Sequence, residues 1–181
     1  NGLSDQSHPC QVMSDILTFE ENNGNIEGKT ISWIGDGNNN MSNSFIEAAV
    51  KFKFNLKIGC PKKYSPNNKI LRWASNNKTK IFVTKDPREA AKDADCIMTD
   101  KWISMNDKVN KKAKKKSLKD YQVNKKLFKF AKAECIFMHC LPVGRGEEVT
   151  DDIIDGNSSV VWNQALNRVH AQKSIIKWCL D

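Results

Sequence analysis

Arginine is scarce in this chain of 181 residues: Arg72, Arg88, Arg145 and Arg168 are the only four, inside a net charge of +8 carried mostly by lysine. Nucleic-acid readers lean on guanidinium forks that grip phosphate and guanine bidentately. The basicity therefore reads as compositional bias, with no nucleic-acid partner expected, and each arginine is worth locating. No apolar run approaches the roughly 18 residues that a membrane-spanning helix needs, so no membrane partner is expected either. The six cysteines, at 10, 60, 96, 135, 140 and 179, form no Cys-x-x-Cys pair, which argues against a structural zinc. A chain of this size and apolar content does not need a disulfide framework. Reduced thiols in an intracellular protein are expected, with no metal and no organic cofactor. With 39% hydrophobic residues, five Trp and eight Phe, the composition excludes a disordered or fibrous chain. The text begins at Asn1 and reads like the middle of a domain, so a piece of a longer polypeptide is expected.

Pro9 opens an amphipathic helix in which Val12, Met13, Ile16 and Leu17 share a face, running to about Glu21. Thr30 to Ile34 reads as a strand, Gly35 to Asn40 as a turn of conformationally permissive residues, and Ser42 to Phe52 as a helix. The pattern recurs. Leu56 to Cys60, Lys80 to Thr84, Cys96 to Thr99 and Cys135 to Met138 read as strands, with helices at Asn67 to Ser75, Pro87 to Asp93 and Lys125 to Ala133 between them. Ser159 to Trp162 is expected to be a last strand, and Ala165 to Leu180 a long helix with Ile175, Ile176 and Leu180 on one stripe. The lysine-rich stretch from Asn106 to Lys119 reads as a solvated face. Strands alternating with helices at this spacing predict an α/β, doubly wound, mainly parallel sheet with helices on both faces.

In such a sheet ligands bind beyond the carboxyl ends of the strands. That rule selects Gly35 to Asn40, Asp100 to Met105 and His139 to Arg145. Gly35-Asp36-Gly37 lacks the third glycine of a dinucleotide fingerprint, with Asn40 in its place. The consecutive asparagines suit either a carboxylate ligand or simple helix capping. His8 stands at a helix cap, where the dipole lowers its pKa and favours a neutral imidazole able to polarise a carbonyl; a structural cap is the plainer reading. Asp100 at a strand end reads as an ammonium anchor or an ordinary surface carboxylate. Cys140 reads as nucleophile, ligand contact or small hydrophobe. His139 and Cys140 are expected to point to opposite sides, which argues against a Cys-His nucleophilic pair.

Taken in order, the motifs Asn1-Gly2-Leu3-Ser4-Asp5 with His8-Pro9-Cys10-Gln11, Trp33-Ile34-Gly35-Asp36-Gly37 with Asn39-Asn40, Thr99-Asp100 with Trp102-Ile103-Ser104-Met105, Asp120-Tyr121-Gln122-Val123-Asn124, His139-Cys140-Leu141-Pro142 and Asn167-Arg168 resemble the ornithine carbamoyltransferases. The resemblance covers essentially the whole chain and implies a Rossmann-like L-ornithine-binding domain over residues 1–181, with the linking helix at 8–21. It implies transfer of the carbamoyl group of carbamoyl phosphate to the δ-amine of L-ornithine, giving L-citrulline and phosphate. By resemblance Asn39, Asn40, Asp100, Ser104 and Met105 hold ornithine, and His8, Gln11, Cys140, Leu141 and Arg168 face the carbamoyl group, with His8, Gln11, Cys140 and Arg168 catalytic.

The family's Ser-Thr-Arg-Thr phosphate loop belongs to an N-terminal domain that nothing here matches. The chain alone is therefore expected to be inactive and monomeric, the full-length enzyme a homotrimer in the cytoplasm or the mitochondrial matrix. Two departures stand out: Asn106 follows Ser104-Met105 where the family has glycine, and Leu166 replaces a glutamate, removing a charge beside Arg168. Alternatives are a related carbamoyltransferase acting on putrescine or an acylated ornithine, and a non-catalytic amino-acid-binding module.

Overall fold

The structure, a computed structural model, describes residues 1–103 and 110–181. Five strands, Thr30–Ile34 (β1), Asn55–Gly59 (β2), Phe82–Thr84 (β3), Cys96–Thr99 (β4) and Ile136–His139 (β5), form one sheet in the order β3-β2-β1-β4-β5. Every pairing is parallel. The helices are Pro9–Asn23 (α1), Asn40–Phe52 (α2), Asn68–Asn76 (α3), Pro87–Ala91 (α4), Lys111–Leu118 (α5), Lys125–Phe128 (α6), Asp151–Ile154 (α7) and Val161–Leu180 (α8). The expected doubly wound α/β sheet is thus present. Among the described residues no helix is long and apolar enough to cross a membrane.

The period-two alternation of the strands builds two cores. Ile31 and Trp33 of β1, Leu56 and Ile58 of β2, Cys96 and Met98 of β4, and Ile136 and Met138 of β5 pack with Val12, Ile16 and Phe19 of α1 and Phe45 and Ile46 of α2. On the opposite face Ile34, Ile97 and Phe137 pack with Ala90 and Ala91 of α4, Leu127, Val149, Ile153 and Val161. Strands flanked by apolar layers on both sides need no polar alternation, and the short runs Cys96 to Thr99 and Ile136 to His139 are buried throughout.

Two expectations change, and one helix is new. Ser159 to Trp162 is no strand: Ser159 makes a single bridge to Phe137, and α8 begins at Val161. The β-propensity of Val160-Val161-Trp162 yields to the need to seat Val161 in the second core while α8 packs on α1. The unforeseen α7 buries Ile153 and Ile154 there as well. The helix expected over Lys125 to Ala133 closes after Phe128.

The lysine-rich stretch is not a uniformly solvated face. Its residues 106–109 lie outside the described residues, but α5 buries Leu118 and Lys114. Lys114 Nζ lies 2.7 Å from Asp36 Oδ2, with both side chains 7% exposed, and 5.5 Å from the centre of the Tyr64 ring. The stripe expected on α8 is present, yet Ile176 and Leu180 face outward, as do Trp162, Leu166 and Val169.

Removing one partner of a buried ion pair strands the other charge in a poorly solvating interior. Lys114→Met should therefore lower unfolding stability by about 3 kcal/mol, read as a lower urea midpoint. An unchanged midpoint would mean that Asp36 is hydrated in solution.

Candidate functional site

The order of the strands reverses between β1 and β4: the chain moves outward from β1 to β2 and β3, then returns to place β4 on the other side. Crossovers on opposite faces part the loops that follow β1 and β4, opening a crevice at their carboxyl ends. Thr99 Oγ1 donates to the Ile34 carbonyl at 2.6 Å and ties the two strand ends together at its floor.

The loop after β1 is shaped by its own residues. Gly35 has φ +126°, and a Cβ on Gly37 would sit 2.9 Å from the Tyr64 carbonyl oxygen, so both positions call for glycine. Asp36 Oδ1 accepts from Asn38 N–H at 2.9 Å. Asn39 caps α2 through Oδ1, which accepts from Ser42 N–H at 2.8 Å, while Asn39 N–H donates to Ser42 Oγ. Its Nδ2 reaches across the crevice to Asp100 Oδ2 at 3.3 Å. The capping reading of this asparagine is thus observed, and the same side chain borders the crevice beside Asp100. Asn40 turns the other way and donates to the Ser4 carbonyl at 2.9 Å, docking the N-terminal segment on α2.

Asp100 follows β4 and lies between Asn39 and Cys140. Cys140 Sγ–H donates to Asp100 Oδ1 at 3.1 Å. Burial, and next the Asp100 charge, hold the Cys140 pKa well above the usual thiol value, so Cys140 is a neutral thiol. That disfavours the thiolate nucleophile and leaves the ligand contact and the small hydrophobe, which its packing against the first core also fits. Ser104 and Met105, with Asn106, lie outside the described residues.

His139 and Cys140 do point to opposite faces. His139 is buried against Glu148, with Nε2 at 3.3 Å from Glu148 Oε1, and its Nδ1 accepts from Leu141 N–H at 2.9 Å. An Nδ1 that accepts leaves the ring proton on Nε2, facing the carboxylate. Glu148 Oε1 accepts from Gly144 N–H, whereas His139 Nε2 faces the carboxylate without a hydrogen bond. This pair, which sequence reasoning missed, holds the loop from Cys140 to Gly144, in which Leu141 adopts φ +54° and precedes a cis peptide to Pro142. A leucine in the left-handed region is a strained conformation of the kind found at ligand-contacting backbone.

The remaining candidates come from α1 and α8, which cross beside the sheet. His8 caps α1 without a side-chain cap bond, and its Nδ1 is buried with no partner. Its pKa is lowered as expected, with a different cause: burial dominates, followed by the Arg168 charge, opposed by a hydrogen bond to the Gly2 backbone and then by Asp100. Arg168 NH1 donates to Gln11 Oε1. Leu166, two positions from Arg168 on α8, faces solvent, so the missing charge is not directly beside the guanidinium. Between the helices Asp15 is fully buried and accepts from Gln11 Nε2 and Gln164 Nε2, both at 2.7 Å on Oδ1. Asp15 was not singled out in the sequence, although its i,i+4 spacing from Gln11 on one helix face was a usable signal. Among the described residues no cluster of three or more His, Cys, Asp or Glu could hold a metal ion.

The model of the family described as aspartate/ornithine carbamoyltransferase, Asp/Orn binding domain, matches residues 27–179. The chain belongs to this family. An ornithine carbamoyltransferase of Rhodopseudomonas palustris is 51% identical over 180 residues, covering 99% of this chain and 57% of that protein. One from Nitrobacter winogradskyi is 49% identical, covering 99% of this chain and 58% of the relative. The chain thus spans little more than half the length of the curated relatives it matches. Among solved structures, the ornithine carbamoyltransferase of Pyrococcus furiosus superposes with a TM-score of 0.90 at 44% identity, covering 97% of this chain and 57% of that one. The anabolic enzyme of Campylobacter jejuni gives 0.91 at 33% identity, covering 98% and 60%. These likenesses carry the Rossmann-like fold.

Two measurements check the electrostatics. Iodoacetamide at pH 8 should alkylate exposed Cys179 while leaving Cys140 unmodified, because alkylation needs the thiolate. Equal rates by mass spectrometry would contradict the protonated, half-buried thiol. Burial raises the Asp15 pKa from 3.8 to about 7 despite the two amide bonds. An acid whose folded pKa is raised gives stability that is fully present below its unfolded value and lost as the pH climbs to the folded one. From pH 4 to 7 the protein should lose up to about 4 kcal/mol relative to Asp15→Asn in denaturant titrations. Parallel pH profiles would show that Asp15 titrates normally.

Proposed function

We propose that the full-length protein transfers the carbamoyl group of carbamoyl phosphate to the δ-amine of L-ornithine, releasing L-citrulline and phosphate. The observation that carries this reading is the Asp100 carboxylate at the switch point, in contact with Asn39 on one side and the Cys140 thiol on the other. A dibasic amino acid entering this crevice meets an anion, amide groups and a thiol backed by a strained carbonyl-bearing loop. The names of the relatives support ornithine as that amino acid.

The chemistry asks for these groups. The amine must attack as a neutral base, and at a lysine-like pKa of about 10.4 only ~0.1% is neutral at pH 7.4, a handicap of about 4 kcal/mol. Asp100 balances ammonium charge on the substrate, with Asn39, Ser104 and Met105 holding its amino-acid end, while Asn40 stays on the N-terminal segment. The Cys140 sulfur and the Leu141 carbonyl accept the amine hydrogens and orient its lone pair. The amine nitrogen bonds to the carbamoyl carbon, phosphate departs with the electron pair of the broken C–O bond, and the proton that the amine sheds passes to the departing phosphate. Neutral His8 and Arg168 stabilise the negative charge that develops on the carbamoyl oxygen, and Gln11 acts through Arg168, whose guanidinium donates to its carbonyl.

Phosphate binding falls to an N-terminal domain of the same polypeptide, and we infer a homotrimer in the cytoplasm, where six free cysteines fit a reducing compartment. The outward apolar residues of α8 suit contact with such a domain.

A citrulline assay on the full-length protein with L-ornithine, putrescine, N-acetylornithine and L-aspartate tests the reading. Turnover with ornithine alone is expected, and preference for another amine would move the protein to a neighbouring specificity. Asp100→Asn should raise the ornithine KM by about tenfold or more. Cys140→Ala should lower kcat and raise that KM together; unchanged kinetics in both variants would sink the site assignment.

A further inference from the structure

Asp15 lies where α1 crosses α8, and both of its amide bonds end on one oxygen, Oδ1. Its Oδ2 is buried with no partner. An ionised carboxylate only accepts, and a carboxyl protonated on Oδ2 still accepts at Oδ1. In either state Gln11 and Gln164 must turn their NH2 ends toward Asp15. An amide whose nitrogen is committed presents its carbonyl at the opposite end. The Gln11 carbonyl accepts from the Arg168 guanidinium. The Gln164 carbonyl accepts from His139 N–H at 2.9 Å, one residue before Cys140.

A single carboxylate thus dictates the polarity of two amides that reach opposite edges of the site. We propose that Asp15 is a positioning residue for carbamoyl transfer, setting Arg168 through Gln11 and the Cys140 backbone through Gln164. This role rests on the function proposed above. An asparagine could not replace the carboxylate without loss. With its oxygen inward, two amide hydrogens would point into the buried space where Oδ2 has no partner; with its nitrogen inward, both glutamines would flip and set NH2 against the donors of Arg168 and His139.

A double-mutant cycle on the full-length protein tests the role, with Asp15→Leu made in the wild type and in Gln11→Ala. Asp15→Leu should lower kcat about 10²-fold with a smaller change in ornithine KM, and most of that loss should vanish when Gln11 is already alanine. Fully additive losses in an active enzyme would overturn the positioning role. A wild type that transfers no carbamoyl group would remove the functional reading and this role with it. Should Asp15→Leu not fold, Asp15→Asn completes the same cycle with the same expected coupling. A crystal structure of the surviving variant reads the geometry without turnover: Gln11 is expected to leave Arg168 or turn its nitrogen toward it, and an unchanged contact would overturn the inference.

Discussion

Parallel pairing of β1 with β2 on one side and β4 on the other is the constraint on which the rest depends. Parallel neighbours must be joined by crossovers, and because β2 and β4 lie on opposite sides of β1, those crossovers diverge. The divergence parts the loops at Gly35 to Asn39 and at Asp100, and the bond from Thr99 to the Ile34 carbonyl keeps them from separating further. Asn39 and Asp100 are adjacent in space because of that topology, although 61 positions separate them in the chain.

Each wall of the crevice is then held by a buried charged group from elsewhere in the fold. Lys114 of α5 grips Asp36 behind the loop after β1. Glu148 holds His139, whose ring holds the Leu141 amide. Asp15 holds the amides that link α1, α8 and the end of β5. Buried charges of this kind contribute little net stability compared with apolar packing, since desolvation offsets their attraction. What they contribute is direction, because an interior donor or acceptor left unmatched is costly and so permits few arrangements.

The elements that were legible in the sequence are those whose pattern has one physical explanation. Apolar runs bounded by Gly, Pro, Asn and Asp placed β1, β2, β4 and β5 to within a residue or two, and the Asn39-Asn40 cap placed α2. Ser159 to Trp162 carried the same local signal as a strand and became a bridge and a helix start, because β5 already closes that side of the sheet and Val161 had a core to fill. Lys114 looked like one more solvated lysine, since nothing local distinguishes it from Lys115 or Lys116; only its position on α5 aims it at Asp36.

The same division runs through the site. The strand-end rule and local geometry selected the three loops that carry Asp100 and Cys140 and set His139 and Cys140 on opposite faces, and a helix-cap position drew attention to His8. Gln11 and Arg168 entered only through the family resemblance of their motifs. Which asparagine faces Asp100, why Cys140 remains a thiol, and how Asp15 and Glu148 orient their neighbours were decided by tertiary packing. Those properties depend on burial and on partners far apart in the chain, and neither is encoded in any local stretch of residues.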